Sequence, residues 1–131
     1  MPKFIFNRLV RDKLPADYER LGQKAVYKTL SKQELLEAVR AKIIEELNEV
    51  PLGGSIEDFQ KELADTQQAI DDLVTLKGAS VDEIQAIKLS KLEKKGGFTG
   101  GHFVETLELS DADEWVAYYR QEPERHKEIT E

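Results

Sequence analysis

Cysteine is absent from this chain of 131 residues, which excludes disulfides, thiolate metal sites and cysteine nucleophiles and fits a reducing compartment. No run of about 18 apolar residues occurs, and the Met-Pro-Lys start lacks the apolar stretch of a secretion signal. The expectation is a soluble, cytoplasmic protein with no membrane partner. Basic charge is in short supply: 19 Lys+Arg stand against 26 Asp+Glu, a net charge of -7, which disfavours a binder of polymeric nucleic acid. Low-complexity segments, repeats and Pro/Gly-rich linkers are also missing, so residues 1–131 are read as one domain. What is present is a charged fraction of 34% beside a hydrophobic fraction of 40%, a balance that suits amphipathic helices with large wet faces.

Local signals divide the chain into helices and a few extended stretches. Lys3 to Phe6, Ala25 to Leu30 and Phe103 to Leu109 are β-prone and predict short strands. Pro15 suits the first turn of a short helix through Leu21, which Gly22 stops. Ser31 with Glu34 forms a capping box ahead of Leu36, Val39, Ile43, Leu47 and Val50 at helical spacing. Pro51, Gly53 and Gly54 break that helix. Ser55 with Asp58 opens the next, with a core stripe of Ile56, Phe59, Leu63, Ile70 and Val74 and a stop at Gly78. Ser80 with Glu83 begins a third, which carries Ile84, Ile87 and Leu92 and ends at Gly96 and Gly97. Ser110 and Asp113 start a last short helix with Trp115 and Tyr118, and residues 123–131 read as a polar tail.

Charge is segregated along the chain. Residues 45 to 72 hold nine acids against Lys61 alone, residues 1 to 28 carry a local charge of +4, and residues 88 to 95 one of +3. Charged helices often only solvate their outer faces. An acidic block between basic ones also suits a hard cation flanked by phosphates. Glu46 and Glu49 share a face of one predicted helix, as Glu62 and Asp65 do on the next. At about 100° per residue both pairs lie off their apolar stripes in the same rotational sense, by roughly 60° to 145°. In an antiparallel pair joined by a short Pro-Gly-Gly connection, equal-sense offsets fall on one side, so the four carboxylates converge. An all-oxygen set favours Mg²⁺ or Mn²⁺. A di-iron centre would want Glu-x-x-His, and neither His102 nor His126 has an acid three residues before it. Glu45 points nearly opposite the stripe and reads as a solvated acid.

The order Glu45-Glu46-x-x-Glu49, then Glu62-x-x-Asp65, resembles the E-E-x-x-E plus E-x-x-D signature of the MazG-like all-α nucleoside triphosphate pyrophosphatases. Asn7-Arg8-Leu9-Val10-Arg11-Asp12-Lys13-Leu14-Pro15 is similar to the opening of the phosphoribosyl-ATP pyrophosphohydrolase-like branch, and Lys91-x-x-x-Lys95-Gly96-Gly97-Phe98 to the basic Gly-Gly-Phe element that follows the metal helices there. Together these span about residues 3 to 103. The resemblance implies an all-α helical bundle, and with short β additions from the N-terminal and Phe103 to Leu109 segments the expected fold is mainly α. It also implies Mg²⁺-dependent hydrolysis of a nucleoside triphosphate, including aberrant, house-cleaning substrates, to monophosphate and pyrophosphate. Glu46, Glu49, Glu62 and Asp65 match the metal-ligand positions.

Arg8, Arg11 and Lys13 are candidates to clamp the triphosphate, Arg11 foremost, with a surface turn as their plain role. Lys91 and Lys95, four apart on one helical face, are candidates for a phosphate, with the negative end of their own helix as the alternative. Lys95 stands where arginine is frequent in relatives, which puts a point charge in place of a bidentate fork. Two metal helices and one more give a thin core, so a homo-oligomer, dimer or tetramer, is expected. The alternative function is a catalytically silent nucleotide-binding or helical interaction module.

Overall fold

The structure is a computed structural model that describes residues 1–130. Its helices are α1 (Leu14–Arg20), α2 (Lys32–Glu49), α3 (Ile56–Lys77), α4 (Val81–Lys95) and α5 (Trp115–Arg120). The protein is mainly α. No helix among the described residues is long and apolar enough to cross a membrane.

Helix boundaries follow the chain's own punctuation. The Ser31 hydroxyl accepts from the Glu34 N–H at 3.3 Å while the Glu34 carboxylate accepts from the Ser31 N–H at 3.2 Å, so two orphan donors at the start of α2 are satisfied reciprocally. Val50, held extended ahead of Pro51, ends α2. The Ser55 hydroxyl then accepts from the Asp58 N–H at 3.1 Å to open α3, and Ser80 does the same for Glu83 at 3.2 Å to open α4. Gly78 stops α3 with φ at 73°, in the left-handed region where a Cβ is costly.

The expected strands do not form: among the described residues none is in a β-strand. The stretches around Phe4, Val26 and Phe103 have no regular secondary structure and are exposed. β-propensity favours an extended backbone, but a strand also needs a hydrogen-bonded neighbour, which propensity alone does not supply.

Two compact units make up the chain, Met1–Glu93 and the stretch from Lys94 onward. In the first, α2 and α3 form the one substantial helix-to-helix packing among the described residues. In the second, the Asp113 carboxylate accepts from the Trp115 N–H at 2.9 Å at the start of α5. Trp115, Tyr118, Tyr119 and His126 cluster there, and Arg120 holds Glu128 at 2.6 Å. His126 and Glu128 are thereby turned back onto α5.

The α2/α3 seam is centred differently from the apolar stripes read in the sequence. Its buried residues are Val39 at 4% exposure, Thr66 at 3% and Ala69 at 8%, whereas Ile70 is 44% exposed. Small residues of α3 occupy the seam, while Ile56 and Ile70 stay exposed. Thr66 satisfies its hydroxyl on the Glu62 carbonyl at 3.4 Å. The chain exposes 12616 Å². Unfolded, a chain of 15.0 kDa exposes about 22,000 Å², so folding hides only about two-fifths of it, against about 60% for even a 60-residue domain.

Candidate metal centre

The shifted seam brings two glutamates inward. At about 100° per residue, Val39, Ile43, Glu46 and Val50 fall within an arc of about 60° on α2, and Glu62, Thr66, Ala69 and Leu73 do so on α3. Glu46 is therefore in line with buried Val39, and Glu62 with buried Thr66 and Ala69. Both follow the same direction toward the loop that joins the helices, as an antiparallel pair requires. The Glu46 side chain keeps only 12% of its exposure.

Oxygen atoms of Glu46, Glu49 and Glu62 all lie within 4.8 Å of one another. Around one Mg²⁺ held at about 2.1 Å, adjacent oxygens are about 3.0 Å apart and opposite ones about 4.2 Å, so these side chains would draw together to hold one hard cation. An all-carboxylate donor set is what Mg²⁺ or Mn²⁺ takes, and three ligands leave positions for water and phosphate oxygens. The last turn of α2 carries Glu45, Glu46 and Glu49 and no base, against the preference of a helix C-terminus for positive charge.

Three cations of the chain already lean on the acids of α2 and α3. Lys42 reaches Glu46 at 3.0 Å and Glu45 at 3.3 Å from a side chain only 22% exposed. Burial alone would lower its pKa, but hydrogen bonds to Glu46 and Glu45 outweigh that, and the ammonium is held above the ordinary lysine value. Glu45 is not simply solvated: it sits between Lys42 and Arg8, the latter at 4.0 Å. Arg11 donates to the Asp65 carboxylate at 2.5 Å.

The four expected ligands therefore divide. Glu46, Glu49 and Glu62 come together, while Asp65, one turn beyond Glu62, is engaged by Arg11. Lys13 is exposed where α1 begins, and Lys91 and Lys95 are exposed on α4. Lys42 was passed over in the sequence, although its spacing three and four residues before Glu45 and Glu46 is the signal of a helical ion pair. A concavity beside α5, lined by Asp111, Asp113, Glu114 and Arg120 among others, offers one cation that Glu128 already holds. Compared with protein-family models, curated proteins and solved structures, the chain matches none.

Proposed function

We propose that the protein is a Mg²⁺-dependent pyrophosphohydrolase that converts a nucleoside triphosphate to its monophosphate and pyrophosphate. The observation that carries this reading is the meeting of Glu46 and Glu49 from α2 with Glu62 from α3 within 4.8 Å, at a helix end with no base in its last turn. The order of acids in the sequence, and its likeness to the MazG-like signature, supports the same chemistry.

Glu46, Glu49 and Glu62 would hold the cation, with Asp65 as a fourth carboxylate on the same helix as Glu62. A cation bound there, Mg²⁺ or Mn²⁺, supplies charge neutralisation on the phosphates and lowers the pKa of an attacking water. Lys42 orients Glu46 and stays protonated, which limits the net negative charge the site presents to an anionic substrate. Arg11 and Lys13, on the basic N-terminal segment, grip phosphate oxygens. Arg11 does so as a planar fork and Lys13 as a point charge. No covalent intermediate is required.

The working form in this reading is a homo-oligomer. α4 has no buried residue, its Ile87 and Leu92 are exposed, and the area hidden on folding falls far short of what a chain of this mass hides. A second copy covering α4 supplies the missing burial at the scale of an obligate interface, about 2,000 Å² or more in total. Direct assay of nucleoside triphosphates with Mg²⁺ tests the activity: release of pyrophosphate supports it, and absence of turnover across ribo, deoxy and damaged substrates overturns it.

A further inference from the structure

The N-terminal segment is strapped across both acidic helices. Arg8 reaches Glu45 on α2 at 4.0 Å, and Arg11 reaches Asp65 on α3. Local contacts also shape the segment around these arginines. Leu9 and Val10 are half-buried, and the Arg11 carbonyl accepts from the Leu14 N–H at 3.0 Å as α1 begins. Phe6 packs edge-on against Tyr18 of α1, and the Arg8 guanidinium lies 4.7 Å from the centre of the Phe6 ring. The guanidinium of Arg11 thus reaches α3 from the N-terminal segment, and its partner Asp65 is 54 residues away in sequence.

Asp65 has two competing uses. It shares a face of α3 with Glu62, which belongs to the carboxylate group, yet its oxygen is occupied by Arg11. A guanidinium and a divalent cation cannot both neutralise the same carboxylate lone pairs at full strength. We propose that Arg11 is an internal counter-ion that keeps Asp65 out of the carboxylate group, so that cation binding and release of Arg11 are one coupled event. The inference rests on the metal reading given above. Its functional consequence is an order of assembly. A guanidinium bonded to Asp65 is unavailable to an anion, and one displaced from Asp65 stands free, beside the loaded site, for a substrate phosphate. Cation and triphosphate thus help each other bind through one side chain, and the coupling is reciprocal. Arg11 is in this sense a positioning residue for Asp65 as well as a phosphate ligand.

The test is Mn²⁺ affinity of the full chain without nucleotide, read from the paramagnetic resonance signal of the free ion, in a double-mutant cycle. Arg11→Ala, and Arg11→Gln as a bulkier replacement, are expected to bind Mn²⁺ about two- to fivefold more tightly than the parent chain, the scale of releasing one exposed ion pair. In an Asp65→Asn background the Arg11→Ala change is expected to leave Mn²⁺ affinity unaltered, because Arg11 then has no ligand to withhold. An equal gain in both backgrounds would mean that Arg11 acts only through its general charge, and would overturn the inference. Unchanged or weaker affinity in both Arg11 variants would overturn it too. In each of those cases the metal reading survives, whereas a parent chain that binds no Mn²⁺ overturns both.

Discussion

Glu46 and Glu62, on separate helices, bring carboxylate oxygens within 4.8 Å of each other at the α2/α3 seam. Two unit charges at that distance repel by about 1 kcal/mol at the dielectric of water and about 3 kcal/mol at an effective value of 20. Lys42 relieves this at Glu46, from 3.0 Å, but Glu49 adds a third carboxylate to the same place. The arrangement costs the fold stability and is stable in proportion to what neutralises it. A divalent cation does so most completely.

Substitution of the ligands is expected to separate binding from stability. Glu46→Ala and Glu62→Ala will lose most of the hydrolysis and the rise in melting temperature that Mg²⁺ brings, while the metal-free protein keeps or slightly gains stability. Glu57→Ala and Asp72→Ala are the controls. Glu57 pairs with Lys61 at 3.2 Å, Asp72 accepts from Gln68 at 3.1 Å, and neither belongs to the carboxylate group. Their effects on stability are expected within about 0.5 kcal/mol. Melting curves with and without Mg²⁺ on all four variants check this.

Ion choice follows from size and geometry. Mg²⁺ and Mn²⁺ will restore activity to chelated protein, and Ca²⁺ will do so poorly, because its larger and looser shell does not hold phosphate and water as an octahedral ion does. Steady-state rates after chelation and re-addition of each ion measure it.

The start of α2 carries a pH signature. Glu34 is held below the ordinary glutamate range, chiefly by its side-chain hydrogen bond with Ser31 and then by the Ser31 backbone N–H. A depressed folded value means that the contribution is complete above the unfolded value and is lost as pH falls through the folded one. Ser31→Ala will cost about 1 kcal/mol at neutral pH and make the acid limb of the stability profile shallower. Denaturant melts across the acid range will show both effects.

Association is expected through α4. Sedimentation velocity will find the protein heavier than its 15.0 kDa chain, and Ile87→Glu, which puts a charge on the exposed apolar side of α4, will shift it toward the monomer. A parent protein that sediments as a monomer would contradict this part of the reading.

What could be read in the sequence was what neighbours in the chain decide. Ser31 with Glu34, Ser55, Ser80 and Gly78 mark helix ends through bonds spanning three or four residues, and the structure places them there. The strands at Lys3 to Phe6, Ala25 to Leu30 and Phe103 to Leu109 failed because pairing is not a local property. The seam was misplaced for a related reason. Hydrophobicity favoured Ile70, whereas the seam buries Thr66 and Ala69, and this rotation carried Glu46 and Glu62 inward. The tie between Arg11 and Asp65 crosses 54 residues and had no signal in spacing at all.

The most direct test is product analysis by phosphorus NMR on a panel of nucleoside triphosphates, ribo, deoxy and damaged, with Mg²⁺, with excess chelator, and with Glu46→Ala. Hydrolysis between the α and β phosphates, giving monophosphate and pyrophosphate in equal amounts and stopping in both the chelated and the Glu46→Ala samples, is the result expected. Diphosphate and orthophosphate as primary products, or turnover undiminished by the chelator, would contradict the account.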